Sequence, residues 1–140
     1  MMIESDVFLD TAFAISLSTP NDEHHERAVS LAEELEVNGT RLVTTRAVLL
    51  EIGNSLSRQR YRNAAIKLLQ SLEEDENVQV IPISEELYEQ GFELFLSRLD
   101  KEWGITDCIS FIVMWELGIN SALTTDKHFQ QAGFNALLRK

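Results

Sequence analysis

The chain has 140 residues, with 12 Lys and Arg against 23 Asp and Glu, giving a formal net charge of −11. That length suits one domain spanning 1–140 with a sizeable core, and 44% hydrophobic with 25% charged residues is an ordinary globular mixture. The acidity argues against a broadly basic nucleic-acid surface and for a bound cation or a basic partner, while a single cysteine excludes an internal disulfide framework and suits the cytoplasm.

In chain order, MMIESDV is too polar and short for a signal peptide, and no run reaches the ~18 apolar residues of a membrane span. Val7 to Asp10 (VFLD) reads as a short apolar strand ending in an acid, followed by a helix from Thr11 to Ser18 that closes near Pro20. Asn21 or Asp22 is the expected cap of a second helix with Ala28, Leu31, Ala32 and Leu35 as its apolar stripe. His24 and His25, adjacent in its polar start, read as surface residues. Asn38-Gly39 is a turn. Arg41 to Thr45 (RLVTT) is a second strand, and the next helix carries Val48, Leu49, Ile52 and Leu56. Ala64 to Leu72 is amphipathic. Val78 to Ile83 is strand-like, with Pro82 confining it to a sheet edge or to the strand's end. Ser84, with Glu85 and Glu86 behind it, starts a helix reaching about Leu99.

The segment from Trp103 to Phe129 organises the rest. Thr106 is the expected N-cap of an apolar, buried helix over Asp107–Leu117, and Gly118 sits where a C-cap glycine belongs. Cys108, inside this helix, reads as a small core residue. Ser121 to Thr125 is a strand, a helix opens near Lys127, and Phe134 to Leu138 forms a last short strand. The helix rises roughly 16 Å and the strand returns about 16 Å, so Asp107 and Asp126 come back to one level. Short strands alternating with helices predict an α/β protein: a three-layer α/β/α sandwich around a mostly parallel sheet. Sites in such sheets lie outside the carboxyl ends of the strands.

That rule singles out Asp10, Asp107 and Asp126. Glu51 joins them because helical side chains lean toward the N-terminus and glutamate is one methylene longer than aspartate. Leu49, Leu50 and Ile52 surround Glu51, so burying its charge would need a cation or a donor. Clustered carboxylates repel, and must protonate or bind metal; an all-oxygen set suits Mg²⁺ or Mn²⁺. The plainer reading is that, among 23 acids, four fall at element ends by chance, helix N-termini favouring aspartate in any case. A haloacid-dehalogenase-type phosphatase wants Asp-x-Asp after its first strand, and Ala12 stands at that position; a receiver domain wants an acidic pair there. No glycine-rich phosphate loop appears.

The segments FLDTAF, TTRAVLLEIGNSLSR, DKEWGITDCISFIVM and ALTTDKHF together resemble the PIN-domain ribonucleases, in particular the VapC-type toxins. The resemblance spans nearly the whole chain. It implies a Mg²⁺- or Mn²⁺-dependent endoribonuclease with a PIN-like α/β/α sandwich, an RNA substrate, a cognate antitoxin and a homodimer. It also implies that Asp10, Glu51 and Asp107 are the main metal-binding and catalytic acids, with Asp126 a fourth. Thr11, Thr106 and Thr125 are placed to orient them by hydroxyl hydrogen bonds. A different class of reading is a non-catalytic PIN-like binding module that keeps only a cation site.

One basic stretch interrupts the acidic chain. Arg58, Arg60, Tyr61 and Arg62 (in RQRYR) fall between two amphipathic helices, either as a solvated connection or as an RNA- or antitoxin-contacting patch, with Leu56 and Leu69 as candidates to frame a partner groove. Two divalent cations would leave the net charge well below zero, so RNA would be gripped locally, by an unpaired loop stacking on Tyr61 rather than by a duplex.

Overall fold

A computed structural model describes residues 6–139. The expectation about a signal peptide rests mainly on residues outside that range. The elements are β1 (Asp6–Leu9), α1 (Thr11–Ser18), α2 (His25–Asn38), β2 (Arg41–Thr45), α3 (Arg46–Ser55), α4 (Gln59–Glu74), β3 (Val78–Ile81), α5 (Glu85–Ser97), α6 (Ile105–Leu117), β4 (Ser121–Leu123), α7 (Lys127–Gln131) and β5 (Asn135–Ala136). The strands form one sheet in the order β3-β2-β1-β4-β5, every pairing parallel. From β1 the chain steps outward through β2 to β3, then crosses back to β4 and out to β5. Because parallel crossovers are right-handed, that reversal puts α1 to α4 on one face and α5 to α7 on the other. The expected three-layer α/β/α architecture is what forms, and the order reverses between β1 and β4.

Residue type explains the elements. Val7, Phe8 and Leu9 are buried on both sides, as a central parallel strand requires. Thr44 and Thr45, fully buried at the end of β2, spend their hydroxyls inside the fold: Thr44 donates to the Leu9 carbonyl at 2.8 Å, and Thr45 accepts the Val48 N–H at 3.2 Å, capping α3. Ser84 caps α5 by accepting from the Leu87 N–H at 3.0 Å. Gly118 closes α6 at φ 68°, a left-handed geometry that costs a side chain but not glycine. Pro82 lies just beyond β3, an edge strand as expected. Among the described residues, no helix is long and apolar enough to cross a membrane.

Some boundaries move. The cap of α6 is Gly104 rather than Thr106, because the helix starts at Ile105 and Asp107 then falls where its carboxylate can take a free backbone N–H. Neither Asn21 nor Asp22 caps α2, whose N-cap is His24; Asp22 instead accepts the His24 N–H at 2.8 Å and the Ser16 hydroxyl at 3.2 Å, holding the turn before it. His25 is half-buried, its Nδ1–H donating to the Ser16 carbonyl at 2.8 Å, and so it is a pin between α1 and α2 rather than a surface residue. Helix α4 begins earlier than its apolar pattern does, so Arg60, Tyr61 and Arg62 lie in its first turn and Arg58 is its N-cap.

Helices α5 and α6 pack closely because Gly91 has no side chain. A Cβ there would sit 2.6 Å from Ile109 Cγ1 and 3.4 Å from its backbone, and Ile109 is itself buried. Alanine gains about 1 kcal/mol of helix propensity but overpacking costs typically 1–3 kcal/mol. Gly91→Ala is therefore expected to lower stability by about 1 kcal/mol in a urea titration; an increase in the midpoint would show that the helices separate freely.

Candidate metal centre

Asp10 and Asp126 follow β1 and β4 at the carboxyl edge of the sheet, where the strand order reverses; Asp107 groups closely with Asp126, and the charges of Asp107 and Glu51 reach Asp10. Asp10 leaves β1 and heads α1; it is 5% exposed and accepts the Thr124 hydroxyl at 2.7 Å. Asp107 lies in the first turn of α6 and accepts the Gly104 N–H at 3.0 Å. Asp126 follows β4, heads α7 and accepts the His128 N–H at 2.9 Å. Glu51 projects from α3 and is exposed, so its charge is solvated instead of carrying the burial cost its apolar neighbours suggest. Helices α3 and α6, which belong to the two different layers, are in contact.

The electrostatics follow from that placement. Burial pushes the Asp10 carboxyl up to about 7, and the charges of Asp107 and Glu51 push the same way, while the hydrogen bonds from Thr124 and from the Thr11 backbone oppose them. Burial is also the largest cause of the upward shift at Asp107; the Gly104 N–H opposes it, the Asp126 charge adds to it, and His128 opposes it. Two acids held above their ordinary range in one place carry a free-energy cost that a cation would relieve.

Sequence reasoning missed two residues. His128 places Nδ1 3.2 Å from Asp107 Oδ2 and 3.2 Å from Asp126 Oδ1, and one ligand atom from each of the three lies within 4.8 Å of the others. Its signal was the spacing D-K-H: a residue two beyond an N-cap aspartate turns back over it, but attention to an all-oxygen set passed over the imidazole. Thr124 does what was expected of Thr125. It donates to Asp10 and accepts the Asp126 N–H at 3.0 Å, joining two acids through one hydroxyl. The offset arises because β4 ends at Leu123, so the inward-facing hydroxyl comes directly after the strand. Thr125 instead offers its carbonyl to Arg139 at 2.8 Å, and the Thr106 carbonyl accepts the Ser110 hydroxyl at 2.9 Å. The Thr11 hydroxyl is buried with no protein partner.

Thr124→Val removes the donor to Asp10 and the acceptor for the Asp126 N–H at nearly constant volume. Metal affinity is expected to fall about 10–100-fold, the usual effect of losing an orienting partner; titration of Mn²⁺ by calorimetry checks this, and an unchanged affinity would show that Asp10 needs no orienting.

These residues fit a divalent cation by the chemistry of their donors. Asp10, Asp107, Asp126 and Glu51 supply hard oxygen atoms, His128 an imidazole nitrogen, and an acid at pKa about 7 beside an unpartnered hydroxyl is poorly served by the protein alone. Cys108 takes no part. It is buried in α6, and burial raises its thiol to about 11, as a core residue requires. The basic trio lies apart: Arg46 at the start of α3 pairs with Glu73 near the end of α4, so the two helices run antiparallel and Arg58 to Arg62 stand at the far end of α3 from the sheet. Arg62 is tied to the Ser57 carbonyl and Arg60 lies over the Tyr61 ring. Leu56 is 3% exposed and belongs to the core, so it frames no groove.

A family model described as the PIN domain matches residues 7–135. The 23S rRNA-specific endonuclease VapC20 from two strains of Mycobacterium tuberculosis is 30% identical over 129 residues, 91% of this chain and 95% of the relative. The crystal structure of M. tuberculosis VapC20, a sarcin–ricin loop cleaving toxin, is similar with a TM-score of 0.80 and 28% identity in that alignment, covering 91% of this chain and 95% of the other. FitAcB from Neisseria gonorrhoeae shares the fold at a TM-score of 0.62 and 17% identity, covering 93% and 94%.

Proposed function

This chain belongs to the PIN-domain family, and from that premise we propose that it is a metal-dependent endoribonuclease, the toxin of a toxin–antitoxin pair, acting in the cytoplasm with residues 1–140 as one nuclease domain. The observation that carries the reading is the arrival of Asp10, Asp107 and Asp126 from three separate elements at one edge, with Glu51 within electrostatic reach. Asp10, Glu51 and Asp107 would hold Mg²⁺ or Mn²⁺ as the main ligands, with Asp126 as a fourth. A bound divalent cation supplies charge stabilisation for the phosphodiester and lowers the pKa of a water. The chain's own contribution is positional. Thr124 fixes Asp10 against Asp126, the Gly104 N–H fixes Asp107, and a carboxylate in this group accepts the proton of the attacking water. The substrate is an unpaired RNA loop, and since the relative VapC20 acts on 23S rRNA, that molecule is the first to test.

The assay is cleavage of 23S rRNA by purified protein with millimolar Mg²⁺ or Mn²⁺ and again with excess EDTA. Metal-dependent cutting is expected. If no RNA is cut while calorimetry still detects cation binding, the non-catalytic module with a cation site is the correct reading. The chain also forms a homodimer in this proposal. The surface for it is on α5, where Tyr88, Phe92, Phe95 and Leu96 are exposed and the first three rings stack in series. Light scattering that finds only monomer at tens of micromolar removes the dimer.

A further inference from the structure

Beside the acids lies an open cleft of about 670 Å³, within the ~300–1,000 Å³ usual for ligand sites. Its walls come from the turn before α2 (Glu23, His24), from the start of α2 (Glu26, Arg27), from Thr125, which directly precedes Asp126, and from Arg139 beyond β5. Through Thr125 the cleft adjoins the metal centre, although Asp10, Glu51, Asp107, Asp126 and His128 do not line it. Both arginines are braced by backbone: Arg27 Nη2–H donates to the Leu137 carbonyl at 3.2 Å and Arg139 Nη1–H to the Thr125 carbonyl at 2.8 Å. Bracing fixes each guanidinium plane while leaving its other N–H groups for a ligand.

The charges decide what fits. Two guanidinium groups and two carboxylates line the cleft, with the His24 imidazole 3.4 Å from Glu23, and with Glu26 left for a ligand, so its charges are mixed in an otherwise strongly acidic molecule. A phosphate would gain two arginines and meet two glutamates. An apolar ligand would strip water from four charges with nothing in return. A ligand with one edge of donors and another of acceptors satisfies all of them. We propose that this cleft is a nucleobase subsite and that the base is guanine, in a nucleotide flanking the scissile phosphate. Guanine is the RNA base that presents two adjacent donors, N1–H and N2–H₂, and two adjacent acceptors, O6 and N7. The Glu26 carboxylate takes the first pair, and the Arg27 or Arg139 guanidinium takes the second, as arginine does with guanine in grooves. The base must be unpaired to enter. The inference deepens the ribonuclease reading and rests on it for the identity of the ligand as part of an RNA.

The test separates the two. Asp107→Asn protein, without added metal, is titrated with short single-stranded RNAs that differ only in carrying G, A, C or U at one position, and with GMP, AMP, CMP and UMP alone. Guanine is expected to bind about tenfold more tightly than the other bases, the effect of one bidentate pair. Glu26→Gln and Arg27→Ala, both at exposed positions, are each expected to remove most of that preference without changing Mn²⁺ affinity. Glu26→Lys discriminates further: a guanine subsite loses its preference, whereas a phosphate site binds every RNA more tightly, which would overturn the proposal. Equal binding of the four bases overturns it too, even if the protein cuts RNA. Guanine preference in a protein that cuts no RNA would keep the subsite and remove the nuclease.

Discussion

Asp10→Asn is expected to reduce RNA cleavage at least about a thousandfold, a loss of roughly 4 kcal/mol of transition-state stabilisation, while leaving the fold intact. Asparagine is isosteric and its carbonyl oxygen still accepts the Thr124 hydroxyl, now at 2.7 Å from the carboxylate. What disappears is a charge among charges. The same substitution has a signature in stability that no general loss of structure would produce. The native pKa of Asp10, about 7, stands above the ordinary 3.8, so between those values the metal-free folded state holds a proton that the unfolded chain has released. That contribution is fully present below pH 3.8 and is lost as pH rises through about 7; it is on the order of 4 kcal/mol. Denaturant titrations in EDTA from pH 4 to pH 8 are expected to show the parent protein weakening across this window and the asparagine variant changing much less. Added Mn²⁺ should reverse the order near neutral pH, stabilising the parent by binding its ionised acids. A parent protein equally stable across the window would mean that Asp10 ionises freely, and a variant that cuts RNA at the parent rate would remove Asp10 from the chemistry.

Phe111→Ala is expected to cost about 3–5 kcal/mol, lowering the melting temperature by roughly 10–15 °C for a chain of this size. Phe111 is fully buried in α6 and is the hub of an aromatic cluster: its ring lies 5.0 Å from Trp103, 4.9 Å from Phe129, 5.7 Å from Phe134 and 6.1 Å from Trp115. The contacts with Trp103 and Phe129 are edge-to-face, the favoured aromatic geometry. This cluster ties α6, which carries Asp107, to α7, which carries His128 next to Phe129. Truncation should therefore loosen the Asp107–Asp126–His128 arrangement as well as the fold, and Mn²⁺ affinity is expected to fall in the portion of protein that stays folded. Phe111→Leu, which fills most of the space, should retain most of both. Equal effects of leucine and alanine would indicate that ring packing is not what holds the two helices.

The architecture was legible because hydrophobic period and turn chemistry agree along most of the chain. VFLD and RLVTT alternate with amphipathic helices, and Gly118 and Ser84 punctuate where they should. The edge position of Asp10 and Asp126 was legible for a related reason: in a parallel sheet, an acid at or just past a strand's carboxyl end has few other places to go. What was hidden depended on register at the scale of one residue. Thr124 and Thr125 are chemically identical neighbours, and only the end of β4 decides which hydroxyl faces Asp10. Gly104 became a cap because the helix took two more residues than its apolar pattern needed. His128 was hidden by an expectation about ligand chemistry rather than by geometry. The exposed aromatic series on α5 has a helical spacing that reads equally well as core, and only burial separates those two outcomes.

The hydrogen bond between Thr124 and Asp10 spans 114 positions of sequence. Strand β1 is made before every other described element yet lies at the centre of the sheet, and its partner on one side, β4, arrives only after every helix from α1 to α6. A chain still being translated therefore has Asp10 long before it has anything for Asp10 to work with. Since domains form as their segments emerge, no nascent chain short of β4 and α7 can bring the acids together. Any activity that needs these acids together therefore begins only once β4 and α7 have emerged.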